Sequence, residues 1–205
     1  MRRIVVTEFV SLDGVMEEPR WTFDFSRGAE GDKFKHDELF AAGALLLGRV
    51  TYQGFAQAWP HMDEGDFGMR MNTIPKYVVS STLTGEEATW GETTVISGDA
   101  MTELARIRQE ETGGDLLVHG SAQLASDLIS HRLVDELRLL VFPILLGEGK
   151  RLFPAALSES ARLVLTSSAT AGDGILMLTY QPAPAGDETA ADGQQAVGAE
   201  SAGGA

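Results

Sequence analysis

Short apolar segments that suit buried strands alternate along this chain with segments of helical periodicity. LLVHGSAQLASDLI (116–129) contains one such change: LLVH suits a buried strand, and apolar positions recur at helical spacing after Gly120-Ser121. Strands that alternate with helices in this way predict an α/β fold with a mainly parallel central sheet.

The same patterns give the bounds of the predicted elements. Segment 161–181 predicts two strands joined around Gly172-Asp173-Gly174, which adds an antiparallel hairpin at the sheet edge. Pro143 implies an edge or a break in the strand that contains it, and the acid-rich segment 61–68 is typical of a surface loop. The other predicted strands are 2–10, 44–48, 76–81, 93–97, 115–119 and 135–147, and the predicted helices are 29–42, 49–59, 99–114 and 121–131.

Composition limits the partners and the location. The formal net charge of −14 disfavours binding to nucleic acid or to an anionic membrane. The chain contains no apolar run long enough to cross a membrane. It has no cysteine, and its four histidines are scattered, so we expect no disulfide and no metal site. A cytoplasmic location is the expectation.

The chain divides into a domain and a tail. Residues 182–205 are of low complexity, with no aromatic residue and no Lys or Arg. Such a segment buries too little apolar surface to offset the entropy of ordering it. We therefore expect one domain over 1–181 and a disordered tail over 182–205.

Small and hydroxyl-bearing residues follow three of the predicted strands. Ligands of α/β sheets collect at the carboxyl ends of strands, where helix N-termini offer free N–H groups to anions. Each set of such residues alone is typical of an ordinary turn. Three sets in one domain predict that an anionic dinucleotide binds across this edge of the sheet. No G-x-G-x-x-G motif follows the first strand, which disfavours a standard dinucleotide-binding domain. The sets are Gly48, Arg49 and Thr51; Ser80, Ser81 and Thr82; and Gly120, Ser121 and Gln123.

Three segments resemble a known family. SLDGV (11–15), LLLGRVTY (45–52) and DELRLLVFPILLGEGKRLF (135–153) are similar to motifs of the dihydrofolate reductase-like superfamily. They are most similar to the reductase domain of riboflavin biosynthesis and its stand-alone relatives, and the likeness extends over residues 2–181. The resemblance implies a three-layer α/β fold, NADPH as cofactor and a homodimer, for which strand 136–146 is the candidate pairing edge.

The resemblance also implies roles for individual residues. Gly48, Arg49 and Thr51 would lie at the cofactor phosphates, Ser80 and Ser81 at the 2′-phosphate, and Gly120, Ser121, Gln123 and Leu124 at the pyrophosphate. Ser11 and the backbone of Leu12, Asp13 and Gly14 would lie near the nicotinamide, with Trp21 beside the cofactor. The substrate ring would lie beneath Trp21 and Phe23, and segment 15–35 would close over it.

The candidate catalytic residues are Asp13, Trp21 and His119, and each has a structural alternative. Asp13 followed by Gly14 suits the cap of a turn. Trp21 has the size of a core residue as well as of a stacking surface. His119 at a strand end suits proton donation, substrate binding or a structural hydrogen bond.

By resemblance the expected activity is NADPH-dependent reduction of a heterocycle, with 5-amino-6-(5-phosphoribosylamino)uracil as the expected substrate. Reduction of dihydrofolate or another pteridine is an alternative, but the acids that could fix a pteridine lack a distinguishing pattern. A non-catalytic NADP(H)-binding protein is the other alternative. Without cysteine, the chain lacks the ligands of the zinc deaminase often fused to such reductases. The acids that could fix a pteridine are Asp24, Glu30, Asp32 and Asp37.

Overall fold

The computed structural model describes residues 1–110, 113–153 and 161–184. Within these residues eight strands form one sheet in the order β4-β3-β2-β5-β1-β6-β8-β7. The six strands from β4 to β6 are parallel, and β8 and then β7 add antiparallel at one side. The strands are β1 Ile4–Ser11, β2 Ala42–Gly48, β3 Lys76–Val79, β4 Thr93–Ile96, β5 Asp115–His119, β6 Glu136–Phe142, β7 Leu163–Ala171 and β8 Ile175–Pro182.

Helices cover both faces of the sheet. Apolar side chains of α4 and α5 pack on one face, which we call the α5 face, and those of α1, α2 and α3 pack on the other, the α1 face. This arrangement confirms the predicted three-layer α/β fold with an antiparallel hairpin at its edge. The helices are α1 Gly28–Ala41, α2 Arg49–Ala58, α3 Gly65–Thr73, α4 Ala100–Arg108 and α5 Ala122–Ser130, with short 3-10 helices at Pro19–Asp24 and Trp59–His61.

The prediction that strand 136–146 is a pairing edge is wrong. β6 lies inside the sheet, parallel to β1 on one side and antiparallel to β8 on the other. It ends at Phe142 because Pro143 has no N–H to continue the ladder. In the described part of the chain the outermost strands are β4 and β7.

Other element bounds also differ from the predicted ones. Segment 61–68 is not a loop throughout, because α3 begins at Gly65 and buries Met71 against the α1 face. The helix predicted over 99–114 ends at Arg108. The final strand reaches Pro182, one residue into the predicted tail, and residues 185–205 lie outside the described residues. None of the described helices is both long and apolar enough to cross a membrane.

Candidate functional site

One cavity of about 2110 Å³ lies at the carboxyl ends of the parallel strands. Residues at or just after the ends of β2, β3 and β5 line one part of it together with Glu8 of β1. Phe9 of β1, α1 and the segment after β1 line the other part. Ligands of open α/β sheets bind at this position. The volume exceeds the roughly 300–1,000 Å³ of an ordinary small-molecule pocket.

Two helix N-termini open into the first part of the cavity. α2 begins at Arg49 directly after β2, and α5 begins at Ala122 after the turn that follows β5. Neither start has a side-chain cap, and the Ser121 hydroxyl instead accepts a hydrogen bond of 2.9 Å from the Gly48 N–H. That bond joins the ends of β2 and β5. Because no side chain caps either helix, the first-turn N–H groups of both remain available to an anion.

Gly120 is required at the turn between β5 and α5. Its φ of +68° is in the left-handed region, and a Cβ there would lie 3.1 Å from Thr51 Cγ2. A side chain would therefore be strained and would crowd Thr51. That Gly120 lets a pyrophosphate approach the backbone closely stays a prediction. We call Arg49, Thr51, Gly120 and Ser121 the anion site.

Arg49 supplies the positive charge of the anion site. Its guanidinium donates to Gln53 Oε1 at 2.9 Å and has no carboxylate partner among the described residues. An arginine without an acid retains its full capacity for a bidentate bond to phosphate. Because the chain is strongly acidic, this unpaired guanidinium is a distinctive feature of the cavity.

The other residues predicted to contact phosphate differ in whether their side chains are already engaged within the protein. The Ser80 hydroxyl accepts from the N–H groups of Thr82 and Leu83, so it caps the turn after β3, whereas Ser81 is exposed on the cavity lining. Gln123 is exposed and donates to Asp127, while Leu124 is a core residue of α5. Of these side chains, Ser81 is the most available to a ligand.

Ser11 and Asp13 stabilise the turn after β1. The Ser11 hydroxyl donates to Asp13 at 2.7 Å, and the N–H groups of Leu146 and Gly147 donate to the same carboxylate at 3.1 and 2.8 Å. These hydrogen bonds lower the pKa of Asp13 to about 2. Asp13 is therefore ionised and holds the turn against the segment after β6, which supports its structural alternative over a catalytic role.

Leu12 and Gly14 complete this turn. The Leu12 side chain is 62% exposed, and its N–H donates to the Ile144 carbonyl. Gly14 has a φ of +83° and donates to the Ser11 carbonyl at 2.9 Å. Residues 11–14 are not among those that line the cavity, and the backbone of the turn is engaged within the protein.

Trp21 packs in the core. Its ring meets Phe142 edge-on at 5.4 Å, and its Nε1 donates to the Glu17 carbonyl at 3.3 Å. Phe25 contacts the same Phe142, whereas Phe23 is 81% exposed and lines the cavity. The aromatic ring that this segment offers to a ligand is therefore that of Phe23.

His119 lies where the two parts of the cavity meet. Its ring contacts Phe9 and Phe55 edge-on at 6.1 and 5.8 Å, and it makes no hydrogen bond to any described residue. Burial lowers the pKa of His119 well below its ordinary value, and the charges of Lys35 and Arg27 lower it further. The imidazole is neutral at physiological pH, with ring nitrogens that remain available to a ligand.

A buried charged cluster on the α1 face was missed by the sequence analysis. Lys35 pairs with Glu38 one helical turn away, donates to the Thr7 hydroxyl at 3.2 Å and lies 5.0 Å from the centre of the Phe9 ring. Arg138 lies 3.6 Å from the second oxygen of Glu38. The i,i+3 spacing of Lys35 and Glu38 on the inward face of α1 was the signal in the sequence that could have indicated this cluster.

Glu8 is the second residue that the sequence analysis missed. Its side chain is 3% exposed, it lines the cavity, and its Oε1 has no hydrogen-bond partner among the described residues. Burial raises the pKa of Glu8 well above its usual value. An acid that alternates with the valines of an apolar strand face was the signal in the sequence.

The chain is similar to proteins of one family. A family model described as the RibD C-terminal domain matches residues 2–177. The uncharacterised protein YyaP of Bacillus subtilis (strain 168) is 27% identical over 183 residues, which cover 87% of this chain and 94% of YyaP.

Two solved structures share the fold. A putative riboflavin biosynthesis protein from Shewanella sp. PV-4 superposes with a TM-score of 0.71 at 22% identity, covering 89% of this chain and 99% of that one. A diaminohydroxyphosphoribosylaminopyrimidine deaminase/5-amino-6-(5-phosphoribosylamino)uracil reductase from Thermotoga maritima superposes with a TM-score of 0.62 at 13% identity, covering 89% of this chain and 57% of that one.

These comparisons confirm the resemblance inferred from the three sequence segments. The family model spans every strand from β1 to β7 and the start of β8, and it includes all the residues of the anion site. The chain therefore belongs to the RibD C-terminal domain family.

Proposed function

We propose that the chain is an NADPH-dependent reductase of a heterocyclic substrate, with 5-amino-6-(5-phosphoribosylamino)uracil as the expected substrate. The observation that carries the proposal is the anion site, in which two uncapped helix starts and the acid-free Arg49 open into one cavity. This donor set suits the diphosphate of a dinucleotide. The name of the Thermotoga relative supports the choice of substrate.

The residues present fit NADPH. Arg49 and the first-turn N–H groups of α2 and α5 would hold its diphosphate, and the exposed Ser81 would hold its 2′-phosphate. When bound, NADPH supplies the hydride, so the protein needs to orient the ligands, exclude water and provide polar contacts. This requirement agrees with a chain that contains no cysteine.

The second part of the cavity would receive the substrate. It combines the Phe23 ring with the neutral His119 and the ammonium group of Lys35, all of which belong to the lining. A flat heterocycle can stack on Phe23 and accept hydrogen bonds from the two nitrogen-bearing side chains. His119 takes the polar role there that the sequence analysis left open.

The buried charges of α1 weigh against a pteridine reductase. A carboxylate on the first helix would be expected to fix the pteridine, but the helix turns Lys35 toward the cavity and engages Glu38 with Lys35, Thr7 and Arg138. Of the four acids considered for this role, Asp32 lies on the cavity lining and pairs with Arg27. All four are exposed, and the others are Asp24, Glu30 and Asp37. Dihydrofolate is therefore the disfavoured substrate.

Binding and turnover measurements test the proposal. NADPH and NADH are titrated into the purified protein by calorimetry, and NADPH oxidation is then followed with the uracil substrate and with dihydrofolate. We expect saturable binding that prefers NADPH, and turnover with the uracil compound. Turnover with dihydrofolate alone favours the pteridine reductase, and binding without turnover of either favours a non-catalytic binding protein. Absence of saturable NADPH binding refutes the proposal.

The remaining expectations about partners and location are also proposals. We propose a cytoplasmic homodimer that does not bind nucleic acid, in which pairing must use a surface other than β6 because that strand is covered on both sides. Sedimentation equilibrium of the full chain tests the dimer, and a monomer at micromolar concentration contradicts it.

A further inference from the structure

Glu8 occupies the point at which the sheet opens. β1 pairs with β5 only as far as Thr7, which lies opposite His119, and then continues to Ser11 beside β6 alone. Glu8 is therefore the first residue of β1 without a neighbour on its β5 side. The cavity enters the sheet through this gap, and Glu8 forms part of its lining.

The Glu8 side chain points to the α5 face. The alternation of a strand places it with Val6 and Val10, which pack in the α5-face core, and opposite Thr7 and Phe9. The backbone N–H of Gly120, a member of the anion site, faces its carboxyl group. Glu8 thus belongs to the part of the cavity that adjoins the anion site, rather than to the part lined by Lys35 and Phe23.

The carboxyl of Glu8 is an incompletely satisfied buried group. Desolvation favours its neutral form, and the negative charge of Glu38 acts in the same direction. Lys35 and the Gly120 N–H favour the charged form, but burial is the largest contribution. A buried polar atom without a partner is costly, and an apolar residue at this position would avoid that cost.

We propose that Glu8 is a binding residue for the nicotinamide carboxamide of NADPH. A neutral carboxyl group carries one O–H donor and one carbonyl acceptor in a single plane, and a primary carboxamide carries the complementary acceptor and donor. The inference rests on the proposed function, because it requires the diphosphate in the anion site and the nicotinamide in the adjoining gap. It assigns the unpartnered Oε1 to the bound ligand.

The test compares two substitutions and two ligands. Glu8→Gln keeps the shape and both hydrogen-bonding functions, and Glu8→Met keeps the length but removes them. NADPH reports the whole site, whereas 2′,5′-ADP lacks the nicotinamide and reports the adenosine phosphates alone. We expect Glu8→Met to weaken NADPH binding about 5- to 30-fold and 2′,5′-ADP binding by less than about twofold. Glu8→Gln should bind NADPH within about threefold of the wild type.

A pH series adds a readout that a purely structural residue would not give. The neutral form binds, so wild-type affinity for NADPH should fall as the pH rises through the pKa of Glu8. The charged groups that act electrostatically on Glu8 are Lys35 and Glu38 of α1, and His119 of β5 is neutral. Glu8→Gln does not titrate and should lose this alkaline decline.

The outcomes separate this inference from the function on which it rests. If the wild type binds 2′,5′-ADP and NADPH, and Glu8→Met binds NADPH equally well, the inference is wrong and the proposed function stands. Equal weakening of both ligands in Glu8→Met also overturns it, because the residue then acts on the fold, which thermal unfolding of both variants monitors. If the wild type binds neither ligand, both proposals fail.

Discussion

Replacement of Arg49 by alanine tests the anion site directly. The side chain is exposed and makes one hydrogen bond, to Gln53, so its loss should change the free energy of unfolding by less than about 0.5 kcal/mol. A hydrogen bond between a charged donor and a phosphate contributes about 1.5–3 kcal/mol. At 1.4 kcal/mol per factor of ten, Arg49→Ala should weaken NADPH binding by about 10- to 150-fold.

Calorimetric titration of both proteins with NADPH at low and moderate salt measures this effect. The difference between them should shrink as salt is added, because screening weakens the phosphate–guanidinium attraction. Arg106→Ala is the matched control: it removes an exposed arginine of α4 that pairs with Glu103, and it changes the net charge equally. If the two variants lose the same affinity, or if Arg49→Ala loses none, the anion site is wrongly assigned.

Four further substitutions, of which Gly174→Ala is a control, test particular features of the fold. Gly120→Ala should lower both the melting temperature and the affinity for NADPH, because Gly120 has a positive φ and lies against Thr51. Gly174 also has a positive φ, of +83°, but open space surrounds it. Gly174→Ala should therefore lower the melting temperature alone. Burial lowers the pKa of Lys76 to about 8. The contribution of Lys76 to stability should therefore rise with pH between about 8 and 10.5. Thermal unfolding measured across that range should show no such rise for Lys76→Met. The pKa of Asp13 falls to about 2, so it stabilises the fold above its ordinary pKa of 3.8 and loses that effect as the pH falls through 2. Asp13→Asn should melt at a lower temperature near neutral pH and show less acid destabilisation, and an unchanged acid profile would contradict this account.

The alternation of apolar runs and helical segments was enough to predict the fold class and the edge that carries the cavity. Gly48 and Gly120 were identified because a strand that turns directly into a helix needs a small residue and exposes N–H groups. Both depend on local sequence; in the structure each follows a strand and precedes a helix, and their role at a cofactor stays a prediction. Bounds were less predictable: α3 was missed because its acidic, glycine-rich start resembles a loop, and its apolar residues become visible only against the sheet.

Side chains that act through long-range contacts were not predictable. Lys35 and Glu38 look like solvated charges on a helix until Arg138 of β6 and Thr7 of β1 are placed against them. The role of β6 in the interior likewise depends on β8, which joins it from about forty residues later in the chain. Local periodicity contains no information about which strands become neighbours.

Two of the three segments that carry the family resemblance pack against each other. Val15 of SLDGV forms a bridge with Arg151, and Asp13 accepts hydrogen bonds from Leu146 and Gly147. These contacts hold the turn after β1 against the segment after β6. Glu8 and Lys35, which line the cavity, lie outside the matching segments. Neither residue takes part in the contacts between the two motifs, so substitutions at Glu8 and Lys35 should leave those contacts intact.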